Sequence, residues 1–105
     1  MTLTVWKYPI APADNFSLQM PKGARVLSVQ MQYDAACIWA LVDPSAKQEP
    51  RHFRWAGTGH AIAEPAHHLD FIGTFQMRGG SLVFHLFEVL SPEAVLVRTV
   101  LKMGL

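Results

Sequence analysis

At 105 residues and a formal net charge of +1, the chain has room for one domain and one core. So small a charge excludes a general polyanion binder. Half the residues are apolar and 16% are charged, a composition that folds, and the single Cys37 excludes an internal disulfide framework and any CxxC metal or redox motif.

The N-terminal MTLTVWKYP lacks the basic start, long apolar stretch and cleavage site of a signal peptide. No apolar run reaches the roughly 18 residues of a membrane span, so a soluble cytoplasmic protein is expected, with no membrane contact. Leu3 to Tyr8 carries strand formers and stops at Pro9. Asn15 to Met20 alternates, with Phe16, Leu18 and Met20 on one face, the pattern of a half-buried strand. Pro21-Lys22-Gly23 reads as a tight turn with proline at the first central position. Ala24 to Tyr33 alternates again, placing Leu27, Val29, Met31 and Tyr33 on one face. The run Cys37 to Val42 is apolar on both faces and suits a covered central strand, with Cys37 a buried inert thiol.

Asp43 to Pro50 reads as a loop between two prolines, and Arg51 to Ala56 as a strand with Phe53 and Trp55 opposite His52 and Arg54. An irregular connection follows. Leu69 to Val89 then reads as a β-hairpin joined at Gly79-Gly80, because consecutive glycines accept the positive φ angles of primed turns. Arg78 and Ser81 keep its tip polar. Beyond Leu90 the pattern changes: Ser91 as N-cap, Pro92 at the first helical position and Glu93 in the first turn start a helix. It places Leu96, Val97, Val100 and Leu101 on one stripe; its valines leave an added edge strand open. The expected architecture is a single mainly β domain over residues 1–90, a small antiparallel sandwich or partly closed barrel of six or seven strands. Residues 91–105 form a C-terminal segment docking on that domain or on a second subunit.

Candidate chemistry centres on Arg51, His52 and Arg54 with the turn Gly57-Thr58-Gly59-His60. Guanidinium groups suit bidentate contact with phosphate or carboxylate, and two glycines let backbone N–H groups point at an anion. The bland alternative is a solvated strand face followed by a turn. The Walker and dinucleotide fingerprints are missing. Of the five histidines, His60, His67 and His68 share one connection with Glu64, near Asp70, but no HExxH spacing exists and no metal site or cofactor is expected. His85, alternating with Val83 and Phe87, reads as a hydrogen-bonded core or interface histidine. No GxSxG elbow frames a serine, and no basic excess supports nucleic acid as the primary partner.

The chain resembles a family of small uncharacterised proteins of tailed phages, prophages and their bacterial hosts. KYPI, MPKGARVLSVQMQ, IWALVDP, RHFRWAGTGH and FIGTFQMRGGSLVFHLFE carry the likeness, and the tail from Ser91 looks like an extension beyond the family's usual end. The resemblance implies a genomic setting and no catalytic residues. It suggests a non-enzymatic protein that engages a host protein, such as an inhibitor of a CRISPR or other defence system. The alternative from the residues is a binder that sequesters an anionic small molecule such as a nucleotide signal, with a histidine-metal enzyme third. Apolar residues on both faces of CIWALV lead to the further expectation of a homodimer.

Overall fold

The computed structural model describes residues 2–104. Seven strands form two antiparallel sheets, β1 (Thr4–Ile10), β2 (Asn15–Pro21), β3 (Arg25–Gln32), β4 (Ala35–Val42), β5 (Gln48–Gly57), β6 (Leu69–Met77) and β7 (Leu82–Val89), and helix α1 (Pro92–Lys102) follows. One sheet has the order β1-β4-β3 and the other β2-β5-β7-β6. They stack as a sandwich, not a barrel. Met20, Val29, Ile38, Phe53, Trp55, Phe75 and Leu86 fill the space between them. Each such side chain contributes about 1.5–3 kcal/mol by leaving water. Trp55 is the hub, edge-on to Phe75 at 4.9 Å and tilted against Phe84 at 5.2 Å.

The run CIWALV is the central strand of its sheet, as its two-faced apolarity requires. Ala36, Ile38, Ala40 and Val42 face the core, while Trp39 and Leu41 lie half-buried on the outer face. In β3 the expected face does not hold. The register with β4 shifts between Val26 and Ser28, so Leu27 is an extra residue that turns outward, 46% exposed, and the phase changes there. β6 has a matching irregularity between Phe71 and Gly73. These two edge strands lie against each other and close one side of the sandwich. Their approach is so close that a Cβ on Gly73 would stand 2.9 Å from Val29 Cγ1.

Three turns differ in detail from expectation. Pro21 occupies the first corner of its turn, Lys22 the first central position and Gly23 (φ 82°) the second. Gln48, Glu49 and Pro50 belong to β5, so the preceding loop is shorter; Pro50 lies past the end of the β5–β7 ladder, where a proline is tolerated. The β6–β7 tip is a four-residue connection with a 3₁₀ turn at Arg78–Gly80, and Arg78 itself adopts φ 53°.

Helix α1 starts as read: the Ser91 hydroxyl accepts from Ala94 N at 3.1 Å. Its orientation is unexpected. Val95 and Arg98 turn toward the domain, whereas Leu96, Val97, Val100 and Leu101 are 64%, 58%, 38% and 70% exposed. The apolar stripe faces away from the sheets.

Candidate functional site

As strand alternation expects, Arg51 lies on the opposite face of β5 from His52 and Arg54. Arg51 lies on the inner side of β5 with Phe53. Its Nε and Nη2 donate to the two oxygens of Glu88 on β7, the latter at 2.8 Å, and its Nη1 donates to the Ala24 carbonyl at 2.8 Å. One guanidinium therefore ties β5, β7 and the entry to β3. Glu88, 8% exposed, is the one buried charged residue among the described residues. Burying a carboxylate is costly unless it is paired and hydrogen-bonded, and the bidentate fork does both. The same bond holds the Arg51 pKa above its usual value.

His52 and Arg54 are on the outer face. His52 Nδ1 is 2.7 Å from Ser17 Oγ. Arg54 donates to the carbonyls of Asp14 and Ala61, each at 3.0 Å, and its Nε lies 3.2 Å from Glu64 Oε1. It pins the β5–β6 connection to the sheet. Gly57-Thr58-Gly59-His60 is a β-turn closed by His60 N donating to Gly57 O at 3.1 Å, with Gly59 at φ 84° as the second central position demands. The Thr58 amide donates to Val83 O at 3.3 Å, so two N–H groups of this turn already have carbonyl acceptors.

His85 stands between two hydroxyls, Thr58 Oγ1 at 2.7 Å from Nε2 and Thr74 Oγ1 at 2.8 Å from Nδ1. A neutral ring donates to one and accepts from the other. His67 and His68 sit in a 3₁₀ turn with rings 4.5 Å apart. Glu64 and Asp70 are engaged by Arg54 and Arg98 respectively. Among the described residues no three His, Cys, Asp or Glu side chains stand close enough to hold a metal ion.

Two regions collect polar groups. The first is a cavity of ≈ 320 Å³ where α1 leaves the sandwich, lined by Arg51, His52, Asp70, Glu88, Ser91 and Arg98. Arg98 closes it by donating to both oxygens of Asp70, at 3.3 and 3.1 Å. The second lies at the opposite end of the strands. It is a groove of ≈ 480 Å³ between the β3–β4 and β6–β7 turns, lined by Met31, Asp34, Gln76, Met77, Arg78 and Gly79.

Sequence reasoning missed this second region. Gln32 pairs with Ala35, so Tyr33-Asp34 is a two-residue hairpin loop. Both residues have positive φ, 49° and 64°, as a type I′ turn requires. Asn-Gly is the favoured pair there, and a tyrosine in this conformation is strained by its Cβ. The available signal was the shortness of the gap, Asp34 to Ala36, between the runs ending at Tyr33 and starting at Cys37, which leaves room only for a tight hairpin turn. Tyr33 is 95% exposed, and Arg78 stands across the groove, also at positive φ. Among the described residues, all three non-glycine positive-φ positions gather here.

The class is thus a small two-sheet antiparallel sandwich carrying a C-terminal helix. Within it, the chain belongs to the family described as Domain of unknown function (DUF7352), whose model matches residues 1–96. The match runs through Leu96, inside α1, so part of the segment taken as an extension from Ser91 lies within the family domain. No curated protein and no solved structure matches the chain. No helix among the described residues is long and apolar enough to cross a membrane.

Proposed function

We propose that this chain is a non-catalytic protein-binding domain whose recognition surface is the end formed by the Tyr33-Asp34 and Arg78-Gly79-Gly80 turns. The carrying observation is the convergence there of the strained non-glycine positions on an almost fully exposed tyrosine. Strain kept at a surface turn, where Asn-Gly relieves it at no packing cost, points to selection for the side chain rather than for stability. Tyrosine is a favoured interface anchor, and Met31 and Met77 line the groove with adaptable apolar surface. Asp34 and Arg78 have no ion-pair or side-chain hydrogen-bond partner among the described residues, which leaves both charges for a partner to pair.

The elsewhere-engaged chemistry supports binding over catalysis. Arg51, Arg54, His52 and His85 are each committed to an internal partner. The resemblance to phage and prophage proteins directs the search to a bacterial host protein, with components of defence systems such as CRISPR first. The test compares immobilised wild type with Tyr33→Asn/Asp34→Gly in a bacterial extract, followed by titration of the purified captured protein. Loss of a tyrosine anchor is expected to weaken binding at least ~30-fold. Equal affinity for both forms overturns the assignment.

A further inference from the structure

We infer that the outward face of α1 docks on the outer face of the β1-β4-β3 sheet of a second copy of this chain, reciprocally, to form a closed dimer. Two apolar surfaces are left bare on the same molecule. On α1, Leu96, Val97, Val100 and Leu101 point away from their own domain. On the three-stranded sheet, Val5 and Leu41 lie on the face turned from the core, beside Leu3, and Leu3 and Val5 are each 50% exposed.

Charge selects the pairing. Strands β1, β3 and β4 carry Lys7 and Arg25 and no carboxylate. Both cations stand on the outer face, Lys7 paired with Trp39 and Arg25 with Leu41. Two such sheets facing each other would set cation against cation. On α1, Glu93 shares the face of Val97 and Val100 at i, i+4 and i+7, while Arg98 and Lys102 turn to the groove beside Ala66 and His67. The helix thus offers one acid among apolar groups to a sheet that offers cations among apolar groups.

Size points the same way. An α1–α1 pair buries one strip about 16 Å long and about 10 Å wide on each partner, whereas reciprocal helix-on-sheet docking buries about twice that on each, a helix strip and a sheet footprint, and so comes nearer the roughly 800 Å² per partner of a stable interface. Both patches also lie at one end of the sandwich, where β1 begins, β4 ends and α1 emerges. Placement at a common end suits a two-fold closed pair, whereas patches at opposite ends generate open chains.

Sedimentation velocity from the micromolar to the millimolar range tests this with the protein alone. Wild type is expected to dimerise. Leu96→Lys/Leu101→Lys and, separately, Leu3→Glu/Val5→Glu are each expected to weaken self-association at least ~100-fold, since each sets like charge against the facing surface. All four positions are substantially exposed, and an unchanged far-UV spectrum checks the fold. Mixing the two variants is the decisive step, because one intact helix-on-sheet contact then remains and a heterodimer reappears. Glu93→Lys weakens the dimer, and Arg25→Glu in the same chain recovers part of the loss. Tyr33→Asn/Asp34→Gly, at the other end, leaves association unchanged, which separates this interface from the recognition groove. A wild type monomeric at millimolar concentration, or a mixture that stays monomeric, overturns the inference.

Discussion

The two ends of the sandwich handle their charges in opposite ways. Where α1 emerges, Arg51 and Glu88 are locked in a bidentate pair, and Arg98 and Asp70 form a second one nearby. At the other end, Asp34 and Arg78 face a groove with backbone strain and without partners among the described residues. Charged groups beside a cavity occur at both ends and therefore do not by themselves distinguish a structural site from a recognition site. The difference lies in whether each group is already satisfied. The first end holds the sheets together, and the second is held in readiness by them.

Substitutions that invert this contrast test it. The largest effect is expected at Arg51→Ala, which leaves Glu88 buried without its counter-charge and costs about 3 kcal/mol, read from denaturant unfolding. Replacing both members, Arg51→Met with Glu88→Leu, should recover most of that loss; a double variant as unstable as the single one would remove the buried-charge explanation. Next comes Tyr33→Asn/Asp34→Gly, expected to raise stability by about 1–2 kcal/mol by placing the preferred residues at two positive-φ positions. An unchanged melting temperature would show that the tip carries no strain. The smallest effect belongs to Arg98→Ala. Arg98 and its partner Asp70 are 42% and 50% exposed, so the loss should stay at or below about 0.5 kcal/mol and shrink with salt. Amide exchange in α1 should quicken more than global stability falls, since Arg98 is a tether of the helix and not of the sheets.

How far this contrast was legible in sequence depends on the range of the interaction. Strand pattern and helix start are local: alternation at Phe16-Leu18-Met20, the two-faced run at Cys37–Val42 and the cap at Ser91 each appear in the structure where the residues place them. The phase of β3 was not legible, because the bulge at Leu27 answers the facing strand β6 and no neighbour in sequence announces it. Candidate sites suffered most. Arg51, Arg54 and His52 looked available only because Glu88, Glu64 and Ser17, their partners, lie far along the chain or across the sheet. Tyr33 and Asp34 looked ordinary because strain is a property of the backbone angle, which the hairpin register imposes. The outward turn of the α1 stripe was equally hidden: the periodicity defines a face, and tertiary placement decides what it meets.

The contact of Gly73 with Val29 carries a consequence for how this family can vary. A Cβ at position 73 collides with a stiff β-branched side chain that is only 3% exposed, so neither residue can change freely alone. The two positions, far apart in sequence, are expected to drift together: a member with alanine or serine at 73 should carry alanine or glycine at 29. Members that keep Val29 should keep Gly73 whatever they bind, making this pair a signature of the closed seam and not of the partner.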